Sequence, residues 1–257
     1  MSGGKWRIAQ ATVTGQSHLN QNTECQDRAL CRTVKAGQEE VLIAVVADGA
    51  GSTTDGQRGA EIACEFFAAQ IAEFLKIAAL GSLNEEFGRR WIDFFQAQIR
   101  EIAGREEKEI REFSSTLIGA AIGEKTAVFY QVGDGGAVFS VSGQTGSYQF
   151  SLPPAEAEYV NMTDFLTDET AAEKIRFACF EAAIEDVILF SDGISAVAVD
   201  FQSNQPHEPF LMPMITPVRG GQAGSGLNEK LKNFLASPKI NEKSDDDKTI
   251  ILASRAG

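Results

Sequence analysis

The sequence predicts an α+β sandwich, with two packed, mainly antiparallel sheets and helices on the outside. Three observations carry this. Blocks of strand-like sequence stand at both ends of the chain, and a pair of helical patterns lies between them. The strands after that pair are joined by short glycine-bearing turns, which make hairpins rather than parallel crossover units.

Taken in order, residues 6–14, 27–34 and 41–47 are rich in β-branched residues or alternate in character, and read as strands. Residues 56–76 predict a helix, because Ala63, Phe66, Phe67, Ile71, Phe74 and Leu75 recur at spacings of three and four. Residues 85–111 repeat the pattern with Phe87, Trp91, Phe94, Phe95, Ile99 and Ile102, aromatics that read as core. Strands return at 115–122, 126–132 and 136–141, and again at 176–180 and 186–190. Segment 153–173 takes no assignment. Residues 203–226, rich in Pro and Gly, read as a long loop or flap. A helix at 227–236 and a strand at 249–253 close the chain.

At 257 residues without a long linker, the chain is read as one domain, 1–257. Its 36 acidic against 23 basic residues give a formal charge of −13, which disfavours nucleic acid as a partner. Apolar runs such as 41–47 are too short to span a bilayer, and the first ten residues do not resemble an export signal. Cys25, Cys31, Cys64 and Cys179 lack the spacing of a zinc cluster and suggest reduced thiols in a cytoplasm.

The informative feature is where the aspartates fall. The apolar run 41–47 stops at Asp48-Gly49, residues 187–190 stop at Ser191-Asp192-Gly193, and 130–132 run into Gly133-Asp134-Gly135. Asp245-Asp246-Asp247 precedes the last strand. Asp-Gly is a common turn element, and each such site taken alone reads as a turn. Several carboxylates converging at strand ends cannot all stay ionised without a cation. All-oxygen ligation suits Mg²⁺ or Mn²⁺ rather than zinc.

In their order these residues resemble the PP2C (PPM) family of metal-dependent protein phosphatases, in its bacterial stand-alone subgroup. The likeness runs from Ser17-His18 through Cys25-Gln26-Asp27, Asp48-Gly49-Ala50-Gly51-Ser52, Ser115-Thr116, Gly133-Asp134-Gly135 and Ser191-Asp192-Gly193 to Asp246-Asp247-Lys248-Thr249. It implies a four-layer α-β-β-α sandwich and a serine/threonine phosphatase that hydrolyses phosphomonoesters with a water activated between two divalent ions. It further implies that Asp48 bridges two ions, with the Gly49 carbonyl on the first and Asp192 and Asp246 on the second. Asp134 corresponds to a ligand of a third, weaker ion, and Asp27 holds a metal-bound water from behind. Thr116 is assigned no chemistry.

The chain departs from the family pattern at three places. Asn22 stands where many members have a phosphate-gripping arginine, Ala50 where many have a histidine general acid, and Gln26 where a glutamate is usual. His18 is the candidate for phosphate binding or proton transfer, against a purely local packing role. Arg58 is a candidate for phosphate binding, against a surface pair with Asp55 or Glu61. Arg28 is a weaker candidate, and His207 reads as structural. The partners the resemblance implies are phosphoserine and phosphothreonine proteins, an opposed Ser/Thr kinase and a von Willebrand-type protein. A catalytically weak module that binds a phosphoprotein or a kinase, and a hydrolase of small phosphate esters, are the competing readings.

Overall fold

In the computed structural model, which describes residues 5–144, 147–154 and 163–256, the long strands pair into two five-stranded sheets. The chain begins β1 (Trp6–Val13), α1 (Gln16–Gln21), β2 (Arg28–Ala36), β3 (Glu39–Ala47), α2 (Gly56–Phe74) and α3 (Glu85–Arg105). Then come β4 (Leu117–Ile122), β5 (Ala127–Val132), β6 (Gly136–Val141), β7 (Gln149–Phe150), α4 (Ala171–Lys174), β8 (Arg176–Phe180) and β9 (Ile184–Phe190). The last stretch is α5 (Asp192–Ala198), the small pair β10 (Val199–Asp200) and β11 (Gln205–Pro206), α6 (Glu208–Arg219), α7 (Ser225–Leu235), α8 (Pro238–Asn241) and β12 (Lys248–Arg255). One sheet runs β1-β12-β9-β6-β7 and the other β2-β3-β4-β5-β8, with every neighbouring pair antiparallel.

The unbroken apolar run of β3 follows from burial on both faces. Val41, Ile43 and Val45 point out to the layer of α2 and α3, whereas Leu42, Ala44 and Val46 point in between the sheets. In β9, Val187 and Leu189 likewise face the other sheet, while Ile188 and Phe190 face the second helical layer with Leu211, Ile215 and Leu235. Three apolar clusters therefore separate four layers, as the resemblance implied. The α2–α3 layer is held by aromatic packing: Trp91 stacks on Phe95 at 5.5 Å between centroids, and Phe67 meets both Trp91 and Tyr130 edge-on.

Several sequence expectations need correction. The predicted loop 203–226 contains α6, which keeps Pro213 and Pro217 inside it. Each interior proline costs roughly 3 kcal/mol in an isolated helix. Here Leu211, Ile215 and Val218 bury fully on the sheet, and Arg219 Nε donates to the buried Asp186 at 2.8 Å. The helix predicted over 85–111 ends at Arg105, and a 3₁₀ turn, Ile110–Phe113, follows. Phe94, expected in the core, is 56% exposed. The short helices α1 and α5 were not expected. Of the unassigned segment 153–173, residues 155–162 lie outside the described residues.

Candidate metal centre

Four strand ends deliver the carboxylates to one place. Asp48 follows β3, Asp134 sits between β5 and β6, Asp192 follows β9 as the first residue of α5, and Asp246 precedes β12. One oxygen from each of Asp48, Asp134 and Asp192 lies within 4.8 Å of the others. Asp246 stands outside that trio, yet its charge is felt by both Asp48 and Asp192.

Glycines beside these aspartates serve two different purposes. Gly135 has φ +82, the positive turn geometry expected of Asp-Gly. Gly193 is glycine for another reason: a Cβ there would sit 1.9 Å from the Asp247 carbonyl oxygen. Gly49 similarly abuts the backbone of Gly56, 2.3 Å from any added Cβ. Close approach of the site loops, rather than turn strain, selects glycine at these two positions.

Hydroxyls and backbone fix the carboxylates. The Asp48 N–H donates to Thr116 Oγ1 at 3.0 Å, and Thr116 N–H returns a bond to the Asp48 carbonyl at 2.8 Å. Ser191 Oγ donates to Asp27 Oδ2 at 2.7 Å and accepts from Thr249 N–H at 3.0 Å. Asp247 is fully inside: its two oxygens accept the N–H groups of Gly15 and Gln26, each at 2.6 Å. Gln26, standing where an acid is usual, ties the Asp48 loop through Nε2 to the Thr53 carbonyl at 3.3 Å. Lys248 is buried and donates to the Asp246 carbonyl at 2.7 Å.

The electrostatics fit a cation. Burial, then the charges of Asp27 and Asp192, hold the Asp48 carboxyl well above the ordinary range. Asp192 is pushed up to about 8, by burial first and then by Asp134, Asp246 and Asp27. Burial likewise raises Asp27 and Asp246. Asp27 Oδ1 and Asp192 Oδ1 are buried with no hydrogen-bond donor. Orphaned buried oxygens are costly, and an all-oxygen donor set of this kind matches a hard divalent ion.

The two remaining candidates part company. His18 is buried beside the site: Nδ1 lies 2.9 Å from Asp247 Oδ2 without hydrogen-bond alignment, and Nε2 faces Gly51. Arg58, expected to grip phosphate, instead closes its guanidinium fork on Glu106 with two bonds of 2.7 Å, over the face of Phe113. Arg28 donates to the Cys25 and Asp27 carbonyls. His207 is structural, Nδ1 lying 2.8 Å from the Val197 carbonyl. Asn22 ends α1 in the left-handed conformation, φ 54, where asparagine is favoured and arginine is not. The roles of Thr116, Ser191, Asp247 and Lys248 escaped sequence reasoning. Ser191, Asp247 and Lys248 were marked by adjacency to the aspartates, and Thr116 by the Ser115-Thr116 pair alone.

A four-layer sandwich whose strand ends converge on half-buried carboxylates defines a protein built to hold a divalent cation between its sheets. Residues 14–236 match the family described as Protein phosphatase 2C. The chain is 32% identical to serine/threonine-protein phosphatase 3 of Escherichia coli (strain K12), over 96% of this chain and 98% of that one. Among solved structures, it is similar to the serine/threonine phosphatase of S. agalactiae, with TM-score 0.66 and 17% identity over 98% of this chain and 100% of that one. It is similar too to PppA, a regulatory component of T6SS in Pseudomonas aeruginosa, with TM-score 0.62 and 15% identity over 99% of each chain. At those identities the two structures speak for the fold. The chain belongs to the protein phosphatase 2C family and is a metal-dependent protein serine/threonine phosphatase.

Proposed function

We propose that residues 1–257 act as one catalytic domain that removes phosphate from phosphoserine and phosphothreonine in proteins. Two Mn²⁺ or Mg²⁺ ions are held by Asp48, the Gly49 carbonyl, Asp192 and Asp246, and Asp134 takes part in a third, weaker site. The reading rests on the convergence of Asp48, Asp134 and Asp192 oxygens, all half-buried, within 4.8 Å of one another. Ions bound there supply Lewis acidity, which lowers the pKa of water and neutralises charge on a phosphoryl group.

The chain's own groups supply orientation and protons. Thr116 and Ser191 hold Asp48 and Asp27 in place, and Asp27 would hold a metal-bound water from behind. His18, beside the loop that follows Asp48, takes the phosphate-contacting and proton-donating role, because Arg58 is already occupied by Glu106. An opposed Ser/Thr kinase and a von Willebrand-type protein complete the proposed partnership. Free thiols at all four cysteines support residence in a reducing cytoplasm. Among the described residues no helix is long and apolar enough to cross a membrane.

Phosphate release from a phosphothreonine peptide tests the reading, run with Mn²⁺, with Mg²⁺ and with chelator, against Asp192→Asn. Metal-dependent turnover that the substitution abolishes is expected. Equal turnover by folded wild type and variant sinks the carboxylate site as the seat of hydrolysis.

A further inference from the structure

On the outer face of the second helical layer, α5, α6, α7 and α8 line a half-open cavity of about 630 Å³. That volume lies within the roughly 300–1,000 Å³ of small-molecule sites. Its walls are apolar: Val197 of α5, Phe210 and Met214 of α6, and Phe234 of α7. The rings of Phe210 and Phe234 stand 6.2 Å apart, and Phe234 is 38% exposed, so apolar surface is left open to water.

The charge of the lining is the informative part. This chain has 36 acidic and 23 basic residues, yet among the described residues no acidic side chain lines the cavity, whereas Lys239 and Lys243 do. Both lysines are exposed. Neither forms an ion pair among the described residues, unlike Lys76, Lys108, Lys174 and Lys232. An apolar chamber with two unpaired ammonium groups at one side complements a ligand with an apolar body and one negative end.

We propose that this cavity binds a small amphiphilic anion, an aliphatic or aromatic body carrying a carboxylate or similar group, with Lys239 and Lys243 meeting the charge. The walls connect to the carboxylate site. Val197 lies on the helix that opens with Asp192, and Lys243 stands in the segment that leads to Asp246. Occupancy therefore shifts divalent-metal affinity, and metal shifts ligand affinity by the same factor. This second statement rests on reading Asp192 and Asp246 as metal-holding groups; the binding itself does not.

The test uses the full chain, first without metal, so its outcome is independent of phosphatase activity. Decanoate, below its micelle concentration, and 8-anilinonaphthalene-1-sulfonate are titrated by calorimetry and fluorescence. Saturable, mutually competitive binding is expected. Lys239→Glu/Lys243→Glu, on exposed positions, should weaken decanoate at least about tenfold, and Met214→Glu should weaken both probes. Decanol should bind at least about tenfold more weakly than decanoate. Decanol or decylamine binding as tightly as decanoate overturns the anion assignment. Affinities unchanged in both variants overturn the location. No binding of decanoate, with binding of an acidic amphipathic peptide, gives the cavity to a protein partner and overturns the small-ligand proposal. Repeating the decanoate titration with Mn²⁺ is expected to shift its affinity; an unshifted value overturns the coupling.

Discussion

The two helical layers of this sandwich do different jobs. The α2–α3 layer consists of two long helices, Gly56–Phe74 and Glu85–Arg105, packed through aromatic rings and fringed with surface ion pairs. The α5–α8 layer is made of shorter pieces, keeps prolines inside one helix, lines a half-open cavity and begins with a candidate metal-holding residue, Asp192. The first layer holds its place by ring packing and the second opens with Asp192, while Asp48 reaches the site on the loop that leads into α2. Periodic aromatic packing gains free energy without needing precise placement of any polar atom. A carboxylate site has the opposite requirement: it places like charges together and lowers the stability of the metal-free fold.

The largest effect expected to separate the layers is Trp91→Ala. It should cost about 3–5 kcal/mol of stability, read as a lower denaturation midpoint, with turnover per folded molecule unchanged. A large loss of turnover in the folded fraction would break the division of labour.

Asp192→Asn should do the reverse. Turnover is expected to fall at least about 100-fold, while the metal-free protein melts at a higher temperature because one of the opposed charges is gone. A metal-free melting point below that of wild type would contradict the repulsion seen around Asp48 and Asp192.

Metal removal should make stability depend on pH in a defined direction. Asp48, Asp192 and Asp246 hold their protons more tightly folded than unfolded, since burial leads the rise in each. The stability this gives is complete below the ordinary carboxylate range and is lost as pH rises through the folded values, up to about 8 for Asp192. The chelated protein should therefore lose melting temperature from about pH 5 to about pH 8, and Mn²⁺ should restore it most at the alkaline end. A flat or rising profile under chelator would refute this.

Thr116→Val removes the acceptor of the Asp48 N–H and is expected to lower turnover about tenfold with little change in peptide KM. Smallest of all, Arg58→Met should leave KM for a phosphopeptide unchanged, since its fork is closed on Glu106. A several-fold rise in KM would restore Arg58 as a phosphate contact.

The sequence by itself determined the strand blocks, the two aromatic helices and the positions of Asp48, Asp134, Asp192 and Asp246 at strand ends. Those features are local: a period of two or three to four residues, and a carboxylate that interrupts an apolar run. Only the tertiary structure decided that α6 forms despite Pro213 and Pro217, because burial of Leu211, Ile215 and Val218 outweighs the lost backbone bonds. It alone assigned Arg58 to Glu106, 48 residues away, and His18 to Asp247, across nearly the whole chain. It alone gave Thr116 and Ser191 their work on Asp48 and Asp27. A single hydroxyl or guanidinium carries no periodic signal. Its partner is chosen by which strand ends and helix termini the sandwich brings together.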